Sequence, residues 1–96
     1  MREYKIYQLP ASHENCFMRH SWCKAHGGVN LEDYNQVFTG HIGGDDPIAI
    51  LELLFQLFNL GDYPKAFTGR SMSVSDVVVI EGLGTYFCDS FCWQKI

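Results

Sequence analysis

Apolar and polar positions alternate at the start of the chain. Tyr4, Ile6 and Gln8 fall on one side, and Lys5, Tyr7 and Leu9 on the other. That period of two predicts a strand over residues 4–9, ended by Pro10, which has no N–H to give to a ladder. After a polar stretch at 11–15, Met18, Trp22 and Ala25 recur at helical spacing, predicting a helix over 17–26 stopped by Gly27-Gly28. Residues 34–42 return to alternation, with Tyr34, Gln36, Phe38 and Gly40 opposite Asn35, Val37, Thr39 and His41, and read as a second strand.

The strongest element follows. Asp46 stands at the N-cap of a helix with Pro47 at its first position, where a missing N–H costs nothing. Ile48, Leu51, Phe55 and Phe58 form one apolar stripe, and Ile50, Leu53, Leu54 and Leu57 a second, leaving only Glu52, Gln56 and Asn59 polar. Such a helix is either buried on most sides or keeps one apolar face for a partner. Gly61 is its expected stop. Residues 62–72 carry turn signals. The β-branched run 74–80 predicts a central strand, and the aromatic-rich segments 85–88 and 91–96 a terminal hairpin. The prediction is therefore an α+β fold: a mainly antiparallel sheet of four to five strands with two helices, in the order β-α-β-α-β-β(-β), as one domain over 1–96.

Size and charge narrow the function. Ninety-six residues give one core a thin stability margin. Aromatic residues at 15% and apolar residues at 47% exclude global disorder. Seven basic against eleven acidic residues give a net charge of −4, which disfavours general binding to phosphate backbones, because that affinity comes from Lys and Arg. The first residues are charged with no long apolar run behind them, and the most apolar segment, 48–60, is interrupted by polar residues. The expectation is a cytoplasmic protein without a membrane partner, whose Cys16, Cys23, Cys88 and Cys92 are reduced thiols.

Those cysteines, with His13, His20, His26 and His41, are the first candidates for chemistry. Cys16 and Cys23 would share one face of the first helix. Only Cys88 and Cys92 approach the spacing of a structural zinc site, and bulky Phe91 and Trp93 flank Cys92. All four read as small buried hydrophobes, and no metal or cofactor is expected. No serine sits in a glycine-flanked nucleophile elbow. Ser73, Ser75 and Asp76 are expected to hydrogen-bond their own backbone at the entry to the following strand, and no catalytic residue is assigned. Binding candidates are the acidic Glu32, Asp33, Asp45, Asp46 and Asp62, able to meet an Arg- and Lys-rich surface, with the aromatics Trp22, Tyr63 and Trp93.

Several segments together resemble the YodL-like domain family. They are Ile6-Tyr7-Gln8-Leu9, Phe17-Met18-Arg19-His20-Ser21-Trp22, Tyr34-Asn35-Gln36-Val37-Phe38-Thr39-Gly40 and Tyr86-Phe87-Cys88-Asp89-Ser90. The most specific match runs from Phe67 through Gly69, Ser71, Ser73 and Ser75 to Asp76 and Val78, and these motif residues are expected to be structural. Arg70 departs from a family position where histidine is common. Cys23, Cys88, Cys92 and Trp93 stand where the family favours other residues. The resemblance implies an accessory protein of plasmids and integrative elements and carries over no catalytic residue. The expected function is a non-enzymatic, protein-binding inhibitor, aimed at a host defence protein such as an RNA-guided nuclease of the Cas9 type. The alternative is an adaptor binding another host or plasmid protein, as a monomer or a homodimer.

Overall fold

The alternation at the chain start becomes β1 (Arg2–Gln8) in a computed structural model that describes residues 1–60 and 64–96. It is followed by α1 (His20–Ala25), a 3-10 turn (Leu31–Asp33), β2 (Asn35–Ile42), α2 (Pro47–Leu57), β3 (Val77–Ile80), β4 (Gly84–Cys88) and β5 (Trp93–Lys95). The strands form a five-stranded sheet in the order β2-β1-β3-β4-β5, every pair antiparallel. The fold is α+β, and the β-branched run is its central strand, as the sequence predicts.

Side-chain parity builds a core on each face of this sheet. Tyr4 and Ile6 of β1, Val78 and Ile80 of β3, and Tyr86 of β4 point to one side, where they meet Ile50, Leu51, Leu54 and Phe58 of the second helix region, with Met72. Val77 and Phe87 point to the other side and pack with Leu9, Cys16, Cys23 and Tyr34. Each fully buried large aliphatic or aromatic side chain stabilises the fold by about 1.5–3 kcal/mol. β1 and β2 slip register between Ile6 and Tyr7, which bends the pair. Gly40 lies under the Tyr4 and Phe38 rings, where a Cβ would approach Tyr4 Oη to 2.6 Å.

Three elements differ from the sequence reading. α1 begins only at His20, because Phe17 adopts φ 67° and the preceding residues close into turns (Cys16 N–H to His13 O, Met18 N–H to Asn15 O). Cys16 therefore lies outside the helix, and it shares a core with Cys23 by tertiary packing rather than by helical spacing. β3 starts at Val77, because Ser75 takes φ 84° and breaks the expected strand. In α2, Ile50, Leu51 and Leu54 go inward, whereas Ile48 from the first expected stripe and Leu53 and Leu57 from the second remain outside. The start of α2 is as expected: Asp46 accepts hydrogen bonds from the N–H groups of Ile48 (3.1 Å) and Ala49 (3.5 Å). The expected stop at Gly61 lies outside the described residues.

Candidate functional site

The serine-rich motif turns inward. Its centre is Asp76, fully buried, whose Oδ2 accepts from the Ser73 N–H (2.8 Å) and from Gln8 Nε2 (3.0 Å). Gln8 Nε2 also donates to Arg70 O (2.9 Å), and Gln8 Oε1 accepts from the Arg70 N–H (3.1 Å). The Arg70 guanidinium donates to Leu9 O (2.9 Å), approaches Asp76 Oδ1 (3.9 Å) and lies over the Phe17 ring, 4.7 Å from its centroid. Gly69 is required here, since a Cβ would run into Gln8 Oε1 and the Val37 side chain. Ser75 Oγ accepts from the Phe17 N–H (2.9 Å) and Ser75 O accepts from Tyr34 Oη (2.7 Å), which holds both positive-φ residues in place. The local bonding expected of Ser73, Ser75 and Asp76 thus holds for the Asp76–Ser73 pair, while Ser75 reaches across the fold. Burial pushes the Asp76 carboxyl up to about 7, against the Ser73 N–H, the Gln8 amide and the Arg70 charge, which pull it down. No substrate could reach this carboxylate without opening the fold.

The thiols divide differently from the sequence reading. Cys16, Cys23 and Cys88 are buried, but Cys92 is exposed, because it sits in the turn between β4 and β5 rather than on a strand face. Burial pushes the Cys16 and Cys23 thiols up, and Cys88 up to about 12. A thiol so raised carries little thiolate near neutral pH and makes a poor nucleophile. Among the described residues no three His, Cys, Asp or Glu side chains group closely enough to hold a metal ion. Nor, among the described residues, is any helix long and apolar enough to cross a membrane.

The outer surface is where unsatisfied chemistry collects. Ala49, Leu53, Leu57 and Leu60 follow one another at steps of four, four and three along the outward side of α2 and its extension. Leu53 is 54% exposed, Leu60 76% and Ile48 47%. Between residues 43 and 60 the charges are Asp45, Asp46 and Glu52, with no Lys, Arg or His. The last turn of α2 has no basic residue to offset the negative end of its dipole. A cleft beside the start of the helix is floored by Ala49, Ile50 and Leu53 and rimmed by Asp45 and Asp46. A second, of about 210 Å3, lies on the other flank between Glu52 and Phe55 of α2 and the 88–93 turn.

The sequence-predicted binding residues do not form one patch. Asp45 pairs with Arg2 (2.8 Å) at the start of β1, and Asp46 caps α2 beside it. Glu32 and Asp33 belong to the 3-10 turn before β2, where Asp33 approaches His13 (3.4 Å). Trp22 of α1 stacks on His26 just past the helix end, ring centroids 3.7 Å apart, whereas Trp93 meets Phe55 of α2 edge-on. Asp62 and Tyr63 lie outside the described residues. Gln8 and Asn15, buried, and Arg70, half-buried, escaped the sequence reading as internal polar residues. Their partners lie 62 positions away for Gln8 and Arg70, and 11 away for Asn15, so no local signal marks them. Glu52, Asp89 and Phe91, which line the larger cleft, were also not singled out as binding residues.

These features define a class: an α+β sheet domain whose polar motif is internal and whose surface presents an apolar, acid-flanked helix. The family model for the YodL-like domain matches residues 3–96, and the chain belongs to that family. No curated protein and no solved structure matches it.

Proposed function

We propose that this domain is a non-catalytic protein-binding module that docks through the outward face of α2. The observation that carries this reading is the exposed row Leu53, Leu57 and Leu60 on one side of the helix. Contiguous apolar surface of this kind on a small domain marks an interaction site. Its flanking carboxylates suit a partner surface rich in Arg and Lys, and would orient and accelerate association. The inward-facing motif and the raised thiols support a role other than catalysis.

The finer assignment is an inhibitor carried by a mobile genetic element and acting in the cytoplasm on an RNA-guided nuclease of the Cas9 type. The nucleic-acid channels and motif-reading sites of such enzymes are lined by basic residues. Supporting it are the net charge of −4 and the absence of basic residues between positions 43 and 60. Direct binding to nucleic acid does not fit that charge. A cleavage assay with purified Cas9-type nucleases tests the assignment. Inhibition and co-elution are expected from the wild-type domain and not from Leu53→Asp/Leu57→Asp; no inhibition at excess protein removes the target class.

The second reading is an adaptor that dimerises along α2, favoured by the same exposed leucines. Light scattering separates the two: a concentration-dependent dimer lost in Leu53→Asp supports the adaptor, and a strict monomer supports the inhibitor.

A further inference from the structure

The larger cleft has a chemistry of its own. Phe55 and Trp93 stand at right angles, ring centroids 6.5 Å apart, and Phe91 at its edge is 100% exposed. Two carboxylates, Glu52 and Asp89, line the same space of about 210 Å3. Asp89 is built in: its Oδ1 accepts from the N–H groups of His20 (3.1 Å) and Ser90 (2.9 Å). Burial raises its pKa, but those N–H groups and further bonding from Gln94 outweigh that, so its carboxyl sits below its ordinary range and is ionised at neutral pH. Glu52 is exposed and has no ion-pair partner among the described residues.

Aromatic rings present negative faces, and carboxylates add full negative charge. Together they attract a cation that also has an apolar stem. An anion would be repelled, and a purely aliphatic side chain would strip water from Glu52 without replacing its bonds. We propose that this cleft is a receptor for the cationic side chain of an Arg or Lys on the protein partner. The guanidinium or ammonium would lie between Glu52 and Asp89 and its stem against Phe55, Phe91 and Trp93. The inference rests on the protein-binding reading above and gives it an anchor residue. Phe91 then has a role: its fully exposed ring at the cleft edge offers the guest a face to lie against.

The test is a titration of isotope-labelled domain, followed by NMR, with N-acetyl-arginine amide, N-acetyl-lysine amide, the norleucine analogue as a neutral control, and choline. The expected result is saturable shifts from the arginine or lysine amide at the Trp93 indole N–H and the backbone N–H groups of Glu52, Phe55 and Phe91. Glu52→Gln and Phe91→Ala each replace an exposed side chain and preserve the fold. Each should weaken binding about 5-fold, the scale of a solvated charge pair or an exposed cation–π contact. Equal shifts from the norleucine analogue would overturn the proposal, as would binding of choline alone or unchanged affinity in both variants. Leu53→Asp/Leu57→Asp leaves the cleft intact and should keep the full shifts. If that variant also captures partner as well as wild type, the docking face is wrong while the cleft result stands.

Discussion

Gln8 does for Arg70 what a neighbouring strand would do. Its amide bonds both the N–H and the C=O of Arg70 and still reaches Asp76. Gln8→Ala would leave the Arg70 N–H and C=O without that partner and Asp76 Oδ2 with the Ser73 N–H alone, and we expect a loss of about 2 kcal/mol in urea unfolding. Asp76 makes the fold sensitive to pH. Its pKa rises from 3.8 to about 7 on folding, so the folded state favours the protonated form. The contribution is fully present below the unfolded value, falls by about 1.4 kcal/mol per pH unit between the two values, and levels off above the folded one. Asp76→Asn keeps an oxygen for Ser73 and Gln8 but cannot ionise. Its unfolding free energy, measured from pH 4 to 8, should lack that decline; an unchanged slope would show that Asp76 is already ionised throughout.

At the scale of elements, α2 was the most legible in sequence and the least legible in orientation. Asp46 and Pro47 mark its start through local bonds, and replacing the cap with Ala should lower stability by about 1 kcal/mol in thermal melts. Its inward side could not be read, because nearly every position between Ile48 and Leu57 is apolar and the facing sheet decides which ones are covered. Leu53→Asp should change stability by less than about 0.5 kcal/mol, whereas Leu54→Asp, fully buried, should unfold the domain. The strands were legible where parity repeats, as in β1 and β3. The left-handed turns at Phe17 and Ser75 were not, since they are imposed by bonds to distant residues. The site was readable only in part: Trp93 was singled out, but Phe91, Glu52 and Asp89 come together through the β4–β5 turn meeting α2, a contact between segments far apart in the chain.

Across the whole molecule, inside and outside have separate tasks. The polar side chains of the family motif close one end of the sheet around Asp76, and the apolar side chains left over lie outside on α2 and beside the 88–93 turn. Substitutions inside should therefore alter stability and leave partner affinity nearly intact, while substitutions on the outward face of α2 should do the reverse. The most direct measurement is the affinity of a captured protein partner for three folded proteins: wild type, Asp76→Asn and Leu53→Asp/Leu57→Asp. Binding kept by Asp76→Asn and weakened at least about 10-fold in the double variant is the predicted result, as expected for exposed apolar anchors at an interface. Binding unaffected by the double variant but abolished by Asp76→Asn would contradict it.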